Sequence, residues 1–177
     1  VDQELFRLIG KAKSGETEAF ALLVKQYKDR VFRFAFGMLS DRMEAEDVSQ
    51  EAFIKAYYSL SNLENSYAFS SWLTRIVSNL CYDRIQKRKK ENIVSSDQIE
   101  AGISTQGIER RDLHLTIEEA MKTLSPEHRE AILLRDVEGY TYDEIAGMLH
   151  IPLGTVKSRI NAARVQLRKE LKKGVEE

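Results

Sequence analysis

The chain has 177 residues, 42% of them hydrophobic and 31% charged, with two prolines and nine glycines, which fits one or two helical domains and excludes disorder along the whole length. The single cysteine, Cys81, excludes an intrachain disulfide and thiolate zinc ligation, and His114, His128 and His150 have no metal-ligand spacing. Net charge is −1 but unevenly spread: residues 41–51 carry five acids against Arg42, residues 70–90 carry six bases against Asp83, and residues 153–173 carry seven bases against Glu170. Two basic surfaces and an acidic one suggest two kinds of partner.

In chain order, the first predicted helix comes after Ser14-Gly15. Its stripe is Phe20, Val24, Tyr27, Val31, Phe34 and Met38, at spacings of three and four. Asp41 and Glu44 make a capping box for the next helix, with Ala45, Val48, Ala52, Ala56 and Leu60 inward. Residues 61–68 break the pattern. A third long helix then carries Phe69, Trp72, Leu73, Ile76, Val77, Leu80 and Ile85 and ends in Lys87-Arg88-Lys89-Lys90. Trp72, lying on that stripe, is expected in the core rather than as a stacking platform. Residues 91–112 lose all periodicity and read as a flexible linker.

Beyond the linker, Leu113, Ile117, Ala120, Met121 and Leu124 begin a second domain. Ser125 caps a helix with Pro126 at its first position; Ala131, Ile132, Leu134 and Val137 face inward, and Gly139 ends it. Thr141 and Glu144 form a further capping box for a short helix through Ile145, Ala146 and Leu149. His150-Ile151-Pro152 is a tight turn, and the last helix runs from about Leu153 to Lys172 with Val156, Ile160, Ala163 and Leu167 inside. The fold class is therefore all-α: two small helical domains, residues 1–91 and 113–177, joined by a linker over residues 92–112.

Residues 142–160 have the pattern of a helix-turn-helix, with small Ala146 where the helices cross. Lys157, Ser158 and Asn161 are placed to reach base edges, whereas Thr155, Arg159 and Arg164 suit phosphates, as does the helix start near Gly154. A helical hairpin with a solvated basic face is the alternative. No stretch approaches the roughly 20 apolar residues of a membrane span, and Val1-Asp2-Gln3-Glu4 does not read as a signal peptide, so a cytosolic location is expected. No catalytic constellation, metal site, cofactor site or small-molecule substrate is indicated.

Three motifs, taken in order, resemble the sigma-70 family, specifically its compact extracytoplasmic-function (ECF) members. Residues 151–160 with Ala163-Arg164 and Leu167-Arg168 look like region 4. Residues 45–53, Ala-Glu-Asp-Val-Ser-Gln-Glu-Ala-Phe, look like region 2.2. Residues 69–76 with Asn79 and Asp83 look like regions 2.3 and 2.4. The resemblance implies a transcription initiation factor, not an enzyme, that brings core RNA polymerase to promoters with −10 and −35 elements. It implies docking of Asp47, Gln50 and Glu51 on the β′ coiled coil, and a further contact of the chain with the β flap.

For the −10 element the resemblance implies a flipped base held by Asn79, a pocket from Leu63 and residues 64–68, and promoter melting by the N-terminal domain. Arg75, Arg84, Lys87 and Arg88 would neutralise nearby phosphates. Tyr67 and Tyr82 are weaker candidates for base contact. The −35 reader would be Lys157, Ser158 and Asn161, flanked by Thr155, Arg159 and Arg164. Some relatives place an aromatic and an arginine where this chain has Asn161 and Ala162. An AAC-containing −35 element and an anti-sigma protein, which would hold the chain at the membrane, are further implications. Two rivals are a free-standing helix-turn-helix regulator, which leaves residues 47–51 without a role, and a nucleic-acid enzyme, which lacks a visible active-site constellation.

Overall fold

The computed structural model describes residues 2–95 and 113–173, with side chains described for residues 3–94 and 117–173. Among these residues there are eight α-helices and no strand: α1 (Asp2–Lys13), α2 (Thr17–Leu39), α3 (Arg42–Ser59), α4 (Phe69–Ser95), α5 (Leu113–Lys122), α6 (Pro126–Ile132), α7 (Tyr142–Leu149) and α8 (Leu153–Lys173). No helix among them is long and apolar enough to cross a membrane. The chain divides into two compact units, Val1–Cys81 and Tyr82–Glu177, and the division falls inside α4. Most of the expected linker, residues 96–112, lies outside the described residues.

In the first unit α2 is the central helix. Its buried face is Ala19, Leu23, Tyr27, Val31, Phe34, Ala35, Met38 and Leu39. The expected stripe is corrected at its start: Leu23 rather than Val24 is buried, and Phe20 is only partly covered, meeting the Tyr57 ring edge-on at 5.1 Å. The seam of α3 is Ala45, Val48, Ala52 and Ala56, small side chains that let α2 and α3 approach closely. Asp41 caps α3 by accepting the Glu44 N–H at 2.9 Å. Phe69, Leu73, Val77, Leu80 and Cys81 bury one side of α4, and Tyr27 meets Phe69 edge-on at 5.2 Å. Trp72 is part-buried against Phe69, at 5.8 Å.

α1 was not anticipated. It packs on α2 and buries Ile9 and Ala12. The end of α4 also differs from expectation. With no proline or glycine to stop it, the helix continues beyond Lys90 to Ser95.

In the second unit α8 is the organising helix, packed by α5, α6 and α7. Leu124, Ile132 and Ala163 form a buried cluster with Met121 and Leu167 against it. The Arg129 guanidinium donates to the carbonyls of Met121 at 3.1 Å and Leu124 at 3.0 Å, satisfying groups left open where α5 ends. Residues 133–137 form a π-helical turn continuing α6, the Glu138 N–H reaching the Leu133 carbonyl at 2.9 Å. The wider turn rotates the side chains at its end around the helix axis, and it corrects one expectation: Val137 is not inward but 57% exposed. Gly139, at φ +81°, then reverses the chain.

Candidate functional site

The helix-turn-helix is built by local bonds. Thr141 Oγ1 accepts the Glu144 N–H at 3.2 Å and the Glu144 carboxylate accepts the Thr141 N–H at 2.7 Å, a complete capping box that starts α7. Its effect on Glu144 is to hold the carboxyl below its ordinary range, chiefly through the Thr141 backbone N–H. α7 stops at His150, which takes the left-handed conformation at φ 53° and ψ 44° where a glycine would be unstrained. The Pro152 carbonyl then receives the amides of Thr155 and Val156 at 3.0 and 3.2 Å and opens α8. Ile145, Met148, Val156 and Ile160 are buried in the crossing; Met148 takes an inner position expected of Leu149, which is half-covered.

On α8, residues advance about 100° per step, so Lys157, Ser158 and Asn161 fall within about 100° of one another, opposite Val156 and Ala163. All three are exposed. The Ser158 hydroxyl donates to the Thr155 carbonyl at 3.0 Å, which leaves its oxygen to accept a bond from outside. Thr155 and Arg159 lie on the far flank and are half-buried. At Gly154 a side chain would meet open space, so the first turn of α8 is sterically open to a ligand. Arg164 is placed differently from a plain phosphate contact: it makes a two-pronged ion pair with Asp136, at 2.7 and 3.3 Å. That carboxylate keeps the guanidinium more firmly charged. Arg135 clamps the turn nearby, donating to the Tyr140 carbonyl at 2.9 Å with its guanidinium 5.0 Å from the Tyr142 ring centre.

On α3, Asp47 and Gln50 are exposed and Glu51 is half-buried. By the same helical geometry Asp47, Glu51, Ile54 and Tyr58 lie within about 60° of one another and roughly opposite Ala45, Ala52 and Ala56. Ile54 is 58% exposed and Tyr58 79%. Sequence reading took the acids and missed these two, although their places seven residues after Asp47 and Glu51 were the signal. The face therefore combines negative charge with apolar surface in one strip. The Glu51–Lys55 pair, at 3.8 Å and exposed, adds little stability.

The six −10 candidates do not share one face. Leu63 is buried at the start of a loop between two 3-10 turns, Leu60–Asn62 and Ser66–Ala68. Asn79 is exposed, with half-buried Arg75 about 40° away around α4 and exposed Lys87 about 80° away. Arg84 and Arg88 are half-buried and lie roughly 140° and 180° from Asn79. Tyr67 is largely exposed. In the second unit the Tyr82 hydroxyl donates to the buried Glu130 carboxylate at 2.7 Å, and burial first, then that charge, push the phenol well above its ordinary range. Tyr82 is thus a structural donor. Among the described residues no group of three His, Cys, Asp or Glu is arranged to hold a metal ion.

Residues 23–91 match the family model for sigma-70 region 2, and residues 114–167 match that for sigma-70 region 4. The chain is 36% identical to the ECF RNA polymerase sigma factor SigW of Bacillus subtilis, over 93% of this chain and 95% of the relative. It is 33% identical to the RNA polymerase sigma-H factor of Pseudomonas aeruginosa, over 93% and 92%. Among solved structures it is similar to the sigma factor RpoE in complex with the anti-sigma factor NepR from Bartonella quintana, with TM-score 0.72, 28% identity and coverage of 86% of this chain and 96% of that one. It is also similar to CnrH in complex with the cytosolic domain of CnrY, with TM-score 0.68, 25% identity and coverage of 94% and 96%.

Proposed function

The chain belongs to the sigma-70 family of transcription initiation factors, in its ECF branch, and on that footing we propose how its surfaces divide the work. Residues 1–91 bind core RNA polymerase and the −10 element, residues 92–112 link, and residues 113–177 read the −35 element; the two family matches, over residues 23–91 and 114–167, fall within the first and last of these spans. The observation that carries the reading is that one chain holds two unlike surfaces. One is the acidic and apolar strip on α3; the other is the basic face of a helix-turn-helix. A free-standing regulator has use for only the second.

Asp47, Gln50 and Glu51 engage the β′ coiled coil, and the exposed Ile54 and Tyr58 beside them suit a protein partner better than water. Asn79 captures an extruded base near the loop begun by Leu63, and Arg75 and Lys87 follow the strand's phosphates. Arg84 and Arg88, on the other side of α4, serve a different stretch of backbone. Lys157, Ser158 and Asn161 read base edges, with Thr155, Arg159 and Arg164 on phosphates. Capture of an unstacked base offsets the few kcal/mol that unstacking costs, which is the route to melting.

Each unit alone makes few contacts, and joining both through polymerase raises their effective concentration on one promoter. The chain performs no bond chemistry of its own and takes no cofactor. Its setting is cytoplasmic, where polymerase and DNA are, with an anti-sigma protein and the β flap as further partners; the complex of the sigma factor RpoE with the anti-sigma factor NepR supports the first. The test is reconstituted transcription with purified core enzyme on genomic fragments. Discrete start sites sharing two spaced elements are expected. A folded, inhibitor-free chain that does not associate with core enzyme would overturn the reading.

A further inference from the structure

The loop from Leu63 to Ala68 is tied at both ends to α1, a helix that precedes the residues matched to sigma-70 region 2. At the near end the Lys13 ammonium, on the last residue of α1, donates to the Leu63 carbonyl. At the far end the Phe6 ring packs on the Tyr67 ring at 5.1 Å and 32°. Phe6 and Lys13 are seven residues apart, about two turns, so both project from one side of α1. Ile9 and Ala12 of the same helix are buried. The anchored helix therefore holds the loop by two outward arms.

The loop's own bonds are short in range. Leu63 N–H donates to the Leu60 carbonyl at 3.1 Å, Tyr67 N–H to Asn65 Oδ1 at 3.0 Å, and Ala68 N–H to the Asn65 carbonyl at 3.0 Å. Such bonds shape each 3-10 turn; the loop is held to the body of the unit by the buried Leu63 side chain at its start, by the Ser71 hydroxyl of α4 donating to the Ala68 carbonyl at 3.0 Å at its end, and by the two α1 side chains. The aromatic pair is not core packing either. Tyr67 stays 74% exposed with Phe6 against it, so the contact gains little from burial. Its consequence is to set where the Tyr67 end of the loop stands.

We propose that Lys13 and Phe6 are positioning residues, holding the Leu63–Ala68 loop ready to receive an extruded promoter base. A loop already fixed loses no backbone entropy when the base arrives, so more of the binding free energy remains for capture. The inference rests on the base-capture role given above to Asn79 and this loop. It adds to that site two positioning residues outside the region 2 match.

The experiment uses Lys13→Met, Lys13→Arg and Asn79→Ala in holoenzyme assembled with purified core polymerase. Two readouts are taken: amide exchange at residues 63–68, and the ratio of open complex formed on two promoters differing at the captured base. Lys13→Met is expected to speed exchange at 63–68 about tenfold, the scale of one charge-assisted hydrogen bond, and to lower the base preference by roughly threefold or more. Melting temperature and core affinity stay near those of the parent, and Lys13→Arg restores both readouts.

Unchanged exchange at 63–68, or faster exchange spread over α1, α2 and α3 with weakened core binding, would overturn the positioning role. If Asn79→Ala abolishes the preference while Lys13→Met leaves it intact, the clamp is wrong and the capture role stands. If Lys13→Met loosens the loop and neither variant alters the preference, the capture role falls and the inference with it. Should Lys13→Met fail to fold, Phe6→Leu puts the same two readouts to the Tyr67 end.

Discussion

Replacing Asp136 by Asn tests how Arg164 is used. The carboxylate holds that guanidinium by two bonds, at 2.7 and 3.3 Å, with the side chains 42% and 40% exposed. A pair this open to water contributes at most about 1 kcal/mol to stability, so Asp136→Asn should leave the fold intact and lower the melting temperature by only a few degrees. A DNA phosphate, however, must compete with Asp136 for the guanidinium. With the negative charge gone, Arg164 can add about one full phosphate contact, steepening the dependence of log K on log salt by about 0.9. Doubling the salt would then weaken the variant about 1.9-fold more than the parent, while at low salt the variant binds several-fold tighter. The assay is anisotropy of labelled −35 duplex with holoenzyme across a salt series. An unchanged slope, or weaker binding at every salt, would refute the competition and make Asp136 a residue that aims Arg164 instead.

Three other outcomes are expected. Lys157→Ala should relax selection at one −35 base pair by about 1–3 kcal/mol, read as a flattened preference in a promoter library, with core affinity unchanged. Asp47→Ala should slow association with core polymerase and reduce its affinity several-fold in low salt, less in high salt, without moving promoter preference. The capping box should make the second unit acid-sensitive. Glu144 is held below its ordinary value, so its contribution is present above the unfolded pKa and is lost as pH falls through the depressed folded one. Thermal melts from neutral to strongly acidic pH should show a shallower acid limb for Glu144→Gln, and Thr141→Ala should cost about 1 kcal/mol at neutral pH.

How much was legible in the residues varies with the range of the interaction. The stripes of α2, α3, α4 and α8 arise from a period of 3.6 acting on neighbours in the chain, and they also place Lys157, Ser158 and Asn161 on one face. The Thr141–Glu144 box and the His150 turn are equally local. Apolar doublets are harder: Leu23 and Val24 are both suitable, and packing on the neighbouring helix chose Leu23. α1 has the spacing Leu5, Leu8, Ile9 and Ala12, but one short helix offers few repeats of the pattern. The π-helical turn at residues 133–137 departs from the 3.6-residue period, so a regular stripe puts Val137 on the wrong side.

The residues alone determined an all-helical chain with a helix-turn-helix near its end and an acidic run ahead of two basic ones, because helical periodicity, capping and charge density are properties of adjacent positions. Only the tertiary structure decided that Arg164 meets Asp136 across 28 residues and that Lys13 reaches Leu63 across 50. Those partnerships depend on where helices cross and how far each rotates, quantities set by the fit of many side chains together.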